Sequence, residues 1–138
     1  MSELATNHTP PIHIQELWKS YTMGTVTVHA LAGVDLVVEP NTFLVVMGPS
    51  GSGKSTLLHL IGGLDRPTSG QIQVGELGIE ALDENALAVY RRRTIGFIFQ
   101  SFNLVQTMTA EDNVAFPMRF ARVPRKARSL RAVELLGQ

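Results

Sequence analysis

Gly48-Pro49-Ser50-Gly51-Ser52-Gly53-Lys54-Ser55 stands between an apolar run at 43–47 (FLVVM) and a helix-like stretch at 54–64 (KSTLLHLIGGL). A buried strand, a glycine loop and a helix in that order make the pattern of a phosphate-cradling P-loop. Gly48, Gly51 and Gly53 carry no Cβ, so the loop can take positive φ and turn its N–H groups toward one anion. The helix start adds unpaired N–H donors and the positive end of a dipole. Lys54 is placed to reach the β- and γ-phosphates, and the Ser55 hydroxyl is the expected Mg²⁺ ligand. Thr56 supports the loop. Residues 48–56, with Pro49, Ser50 and Ser52 supplying backbone, therefore predict a nucleoside triphosphate site.

Outward from the loop, the pattern alternates between strands and helices. Residues 12–21 and 26–38 alternate apolar and polar side chains as half-buried strands do, with a turn at 22–25. Pro40-Asn41 predicts a second turn, and the Arg66-Pro67-Thr68-Ser69-Gly70 stretch a third, leading into a short strand at 71–74. Gly62 and Gly63 end the loop helix. Asp83 predicts the N-cap of a helix running to Arg93, which would set Arg91, Arg92 and Arg93 at its negative dipole end. Residues 95–99 (IGFIF) read as a second buried strand ending at Gln100. Thr109 can cap a helix by binding back from three residues ahead of Asp112. Phe116-Pro117 should bend or stop that helix, and another begins near Pro124.

Composition narrows the class. The chain has 138 residues, 44% of them apolar and 17% charged, enough for one buried core. Without cysteine there is no disulfide framework, thiol nucleophile or Cys-based metal site. His8, His13, His29 and His59 show no ligand spacing. The polar stretch at 1–11 reads as a loose N-terminus with no targeting signal, and no apolar run is long enough to cross a bilayer. Net charge is zero but unevenly spread: residues 1–118 hold six Lys or Arg against eleven Asp or Glu, and residues 119–138 six against one. Arg119, Arg122, Arg125, Lys126, Arg128 and Arg131 read either as the solvated face of a helix whose apolar side is Ala127, Leu130, Val133 and Leu136, or as a contact for membrane headgroups or an acidic partner. No aromatic residues interleave with these charges, so a nucleic-acid partner is not expected.

Many enzymes carry a P-loop, but nucleotide kinases and small GTPases place it after the first strand, whereas here a strand-rich stretch precedes it. From Tyr21 through VHALAGVDLVVEPNTFLVVMGPSGSGKSTLLHLIGGLDRPTSGQI to RRRTIGFIFQSFNLVQTMTAEDNV, the chain resembles the ATP-binding subunits of ABC transporters, most closely their MacB and LolD group. IGGLDRPTSG together with FQSFNL carries more of that likeness than the phosphate loop does. The resemblance implies an α/β P-loop fold with a parallel core sheet and an N-terminal antiparallel β-subdomain. It divides the chain into the N-terminal stretch at 1–11 and a partial nucleotide-binding domain at 12–138, with the phosphate loop at 48–55, a Q-loop from Gln100 and the start of a helical subdomain at about 109–138. Tyr21 then matches the aromatic that stacks on adenine, although the residues alone also allow an ordinary strand-edge tyrosine. Gln100 matches the glutamine that approaches Mg²⁺ and the attacking water, so it and Lys54 are the expected catalytic positions.

The same resemblance implies ATP and Mg²⁺ as cofactors, a transmembrane permease partner, a second nucleotide-binding subunit in a head-to-tail dimer, and a place on the cytoplasmic face of a bacterial membrane. It also implies an LSGGQ signature, an Mg²⁺-directed Asp followed by a catalytic Glu, and a switch His; none occurs before Gln138. The expectation is a chain that stops within the helical subdomain, exposes a sheet edge and binds ATP without the base that turnover needs. Two other readings stay open at this point: an ATP-binding module without turnover, and a soluble ABC ATPase of the DNA-repair or translation type.

Overall fold

A computed structural model of the chain describes residues 11–137, so His8 and all but the last residue of the expected loose N-terminus lie outside the described residues. Two compact units are present, Met1–Arg91 and Arg92–Gln138.

The first unit is built on an antiparallel sheet in the order β2-β1-β3-β4, with β1 at Ile12–Met23, β2 at Val26–Val38, β3 at Ser69–Val74 and β4 at Leu77–Gly78. β1 pairs with β2 on one side and β3 on the other, so the hairpin and the short strand expected from the alternating pattern both form. The regular register of β1 first fails between Ile14 and Leu17. Ile14 and Leu17 are both buried although three residues apart, which a regular strand forbids. Glu16 takes φ 47° between them and the register with both neighbours slips there, the signature of a bulge. Its N–H is donated to Asp35 Oδ1 at 2.8 Å rather than to the ladder. On the facing strand Gly70 makes room, since a Cβ there would lie 2.2 Å from the Glu16 carbonyl oxygen. Beyond the bulge Leu17 is buried and Lys19 half-buried, while the register with β2 slips again on either side of Lys19.

Helix α1 (Lys54–Ile61) buries Leu57 and Leu60, and α2 (Glu84–Arg93) buries Leu87 and Tyr90, completing a core with Ile14, Leu17, Leu31, Ile72, Val74 and Ile79. Asp83 caps α2 as expected, accepting from the Ala86 N–H at 2.7 Å. At the end of α1 the carbonyls of Ile61 and Gly63 accept from the Tyr90 hydroxyl at 2.7 Å and the Arg91 guanidinium at 2.6 Å. Arg91 thus closes the neighbouring helix, a role the dipole of its own helix did not suggest. A single 3-10 turn at Ile79–Ala81 joins β4 to α2 and was not legible in the sequence.

In the second unit α3 (Ala110–Phe120) packs on α4 (Arg125–Leu136). Thr109 caps α3, its Oγ1 accepting from the Asp112 N–H at 3.1 Å and donating to the Asp112 carboxylate at 2.9 Å. Pro117 neither bends α3 to a stop nor ends it; the helix continues to Phe120. The α4 face differs from expectation. Ala127, Leu130, Val133 and Leu136 are exposed, whereas Ala132 is fully buried and Ser129 donates to the Glu111 carboxylate of α3. Ala115 and Ala132 let the two helices approach closely, and positions three apart along a helix drift around it instead of holding one face.

The expected strands at 43–47 and 95–99 carry no ladder among the described residues, and the sheet there is antiparallel only. Phe43 is 92% exposed and Ile98 102%, so these apolar runs are not the buried strands their composition predicts. A strand needs a second row of backbone donors and acceptors, and no described residues stand beside either run as one.

Candidate nucleotide-binding site

The glycine loop enters α1 through Gly53, whose φ of 86° is left-handed and whose side-chain position is closed by β2. A Cβ there would meet the Ala30 carbonyl oxygen at 2.4 Å and Leu31 Cδ2 at 2.9 Å. Gly48 and Gly51 also take positive φ, at 156° and 81°, as the phosphate-loop reading requires. The turn is held by a bond from the Ser52 N–H to the Pro49 carbonyl at 3.3 Å.

From the Gly53 carbonyl the first helical acceptor takes the Leu57 N–H at 2.9 Å, which sets the amides of Lys54, Ser55 and Thr56 ahead of any intrahelical acceptor. No side chain caps this end and its first turn holds no acidic residue. Free donors, a positive dipole end and no competing carboxylate together suit an anion. Lys54 lies back across the loop and donates to the carbonyls of Gly48 at 2.9 Å and Pro49 at 2.7 Å, with Ser52 Oγ at 3.4 Å. Its ammonium is therefore held against the backbone of the same loop. Ser50 lies on the exposed rim of that loop, and the exposed Ser55 stands in the first turn of α1.

Tyr21 is drawn into this unit by polar contacts that sequence spacing could not show. Its hydroxyl donates to Asp65 Oδ2 at 2.8 Å, and the Lys19 ammonium lies 4.8 Å from the ring centroid while bonding Asp65 Oδ1 at 2.7 Å. Burial, with help from the Asp65 hydrogen bond and charge, raises the phenol above its ordinary value, and the Thr56 side chain works the other way. For Asp65 burial pushes up, but the bonds from Lys19, Tyr21 and the Arg66 N–H outweigh it and hold the carboxyl below the usual range. The structure thus brings Tyr21 and residues 48–56 into one unit. Gln100 lies in the second, at an exposed bend after residues 95–99. The segment following it is knitted by Asn113, whose amide nitrogen donates to the carbonyls of Val105, Met108 and Thr109 while its oxygen accepts from the Val105 N–H.

Mg²⁺ takes few protein ligands, completing its shell with phosphate oxygens and water. One exposed Ser55 hydroxyl beside amides and an ammonium, with no acid in the same turn, fits such a shared shell. Among the described residues no group of three or more His, Asp or Glu forms a metal cluster by itself, and no helix is long and apolar enough to cross a membrane.

A glycine loop feeding a helix, beside a four-stranded antiparallel sheet, is the arrangement of a P-loop followed by its helix. The pattern of the ABC transporter family matches residues 31–138, and the chain belongs to that family. It is 46% identical over 125 residues to an uncharacterised ABC transporter ATP-binding protein of Thermotoga maritima, covering 91% of this chain and 53% of that protein. It is 51% identical over 114 residues to the lipoprotein-releasing system ATP-binding protein LolD of Anaeromyxobacter dehalogenans, covering 83% and 48%. With the macrolide export ATP-binding/permease protein MacB of Marinobacter nauticus it shares 43% over 127 residues, 92% of this chain and 20% of that one. The chain spans about half the length of the first two relatives. Among solved structures, the ATP-binding cassette MJ0796, described as a dimer in a post-hydrolysis state bound to ADP and Pi, matches with TM-score 0.84 and 40% identity over 91% of this chain and 56% of that one. The resemblance to the MacB and LolD group holds, and so does the α/β class with its antiparallel β-subdomain.

Proposed function

We propose that this chain is the ATP-gripping part of an ABC transporter's nucleotide-binding domain, with its phosphate loop at 48–55, a Q-loop from Gln100 and the start of a helical subdomain at 109–138. The observation that carries the reading is the uncapped start of α1, where the amides of Lys54, Ser55 and Thr56 precede the first helical bond and the Lys54 ammonium lies against the loop. A triphosphate would exchange the Gly48 and Pro49 carbonyls for its own oxygens as partners of Lys54, a substitution of weak neutral acceptors by charged ones. Ser55 would hold Mg²⁺, which when bound neutralises phosphate charge. Tyr21 would stack on the base, and Gln100 would approach the metal and the attacking water.

The relatives named LolD and MacB support coupling to a permease that moves lipoproteins or macrolide-like cargo, and the dimeric cassette supports a second nucleotide-binding subunit. The working place is then the cytoplasmic face of the membrane. Hydrolysis needs a group that activates water, and the carboxylate nearest Tyr21, Asp65, is committed to Lys19, Tyr21 and the Arg66 N–H. We therefore assign ATP binding to this chain and turnover to the complete transporter. Calorimetry with MgATP should register binding that Lys54→Ala weakens at least tenfold, with no turnover above that variant. Absence of binding by folded wild-type chain refutes the proposal, and turnover well above the Lys54→Ala control refutes the division of labour.

A further inference from the structure

We propose that Asp65 is a positioning residue for the base, locking the Tyr21 ring to the helix that carries the phosphate loop. This deepens the reading of Tyr21 as an adenine platform and rests on it. The argument begins with how few restraints an aromatic at a strand end ordinarily has. Tyr21 sits two residues from the end of β1, next to the Gly24 turn, and remains 40% exposed. A ring there would sample several rotamers, and a base stacking on it would have to stop that motion at an entropic cost.

Asp65 removes the freedom beforehand. It lies just beyond the α1 terminus, and its two oxygens divide the work. Oδ2 accepts from the Tyr21 hydroxyl at 2.8 Å. Oδ1 accepts from Lys19 Nζ at 2.7 Å and from the Arg66 N–H at 2.7 Å. Lys19 closes the figure: the same ammonium donates to the Arg66 carbonyl at 2.7 Å and stands over the Tyr21 ring, 4.8 Å from its centroid. The Lys19 head group is only 12% exposed and Asp65 32%, so the pair is better shielded than an ordinary surface bridge. The register of β1 against β2 slips between Ile14 and Leu17 and again on either side of Lys19, the stretch that presents Lys19 and Tyr21 to Asp65.

One end of the ring is thereby anchored to the turn after α1, and the loop that would hold the phosphates is the turn before it. Asp65 thus ties the ring to the turn after one eight-residue helix, about 12 Å long, whose first turn also meets the phenol through Thr56. With an ammonium over it and its hydroxyl tied down, the ring offers its exposed surface in a fixed plane.

The test separates base from phosphate. Binding of ATP and of inorganic tripolyphosphate, each with Mg²⁺, is measured by calorimetry for the wild-type chain and for Asp65→Ala, Tyr21→Phe and Tyr21→Ala. Tyr21→Phe keeps the ring and removes the hydroxyl that bonds Asp65 and that the Thr56 side chain also meets, so it reports even where Asp65→Ala perturbs folding. The inference expects Asp65→Ala and Tyr21→Phe each to weaken ATP by about three- to tenfold, the size of one lost charge-assisted hydrogen bond, and to leave tripolyphosphate within about twofold. The pair combined should be no worse than the worse single variant. Unchanged ATP affinity in Tyr21→Phe, or equal losses for the two ligands in it, overturns the positioning role. Unchanged ATP affinity in Tyr21→Ala instead refutes the platform reading, and the positioning role falls with it.

Discussion

Gly53 and Gly51 both take left-handed φ, near 86° and 81°, yet only one of them is boxed in. That contrast makes a controlled experiment. Alanine at either position carries the left-handed penalty, about 1–2 kcal/mol. At Gly51 nothing lies within 4 Å of the new Cβ, so the penalty is the whole effect. At Gly53 the Cβ would also lie 2.4 Å from the Ala30 carbonyl oxygen, inside the 3.0 Å that Cβ atoms keep, and a backbone atom of β2 has no rotamer to escape into. Relieving it means parting α1 from β2, an overpacking cost of about 1–3 kcal/mol more. Gly53→Ala should then lose about 2–5 kcal/mol in total against about 1–2 for Gly51→Ala. Urea unfolding followed by Trp18 fluorescence reads this directly, because the chain's single tryptophan lies in β1 of the same unit. At a slope of about 1.5 kcal/mol/M, the two midpoints should differ by about 1–2 M. Coincident midpoints would show that β2 does not brace the loop, and the account of how the helix start is held would be wrong.

Two further outcomes follow from groups elsewhere. Burial pushes the Tyr90 phenol up to about 12, above the 10.0 of the free group, so the folded state binds its proton more tightly than the unfolded one. The associated stability is complete below pH 10 and drains away as pH rises toward 12, by about 2–3 kcal/mol in all; Tyr90→Phe should flatten that alkaline limb in urea titrations, and an unchanged limb rejects the assignment. Asn113→Ala removes four hydrogen bonds that tie the segment after Gln100 to α3. Hydrogen exchange at the Val105 amide should accelerate by about ten- to a hundredfold while the Ala86 amide in the first unit keeps its rate, and parallel acceleration at both would mean global destabilisation instead.

What the sequence made legible was local. The glycine turn leading into α1, the glycine stop after it, the caps at Asp83 and Thr109 and the hairpin at Gly24 all depend on residues within a few positions of one another, and each formed. What it hid was set by distance along the chain. Asp65 meets Tyr21 from 44 positions along the chain, and no spacing rule announces it. Apolar content does not decide the α4 face: α3 packs on a small alanine, Ala132, and on Ser129, which bonds Glu111. At 43–47 and 95–99 composition reported what those side chains are suited to bury against, and a ladder also requires a neighbour. Glu16 escaped notice because a bulge leaves the average alternation intact while changing which residues face inward.

The phosphate loop is moored to the sheet at one end only. Downstream, Gly53 is wedged against β2 and continues into α1; upstream, residues 43–47 run to Gly48 with no ladder among the described residues to steady them. Were such a loop to take the proposed anion, the Lys54 bonds to the Gly48 and Pro49 carbonyls that now hold its upstream side would be given up, and part of the energy of capture would go into re-ordering that limb. Any backbone that came to lie alongside 43–47 would tighten the grip on polyphosphate without touching it.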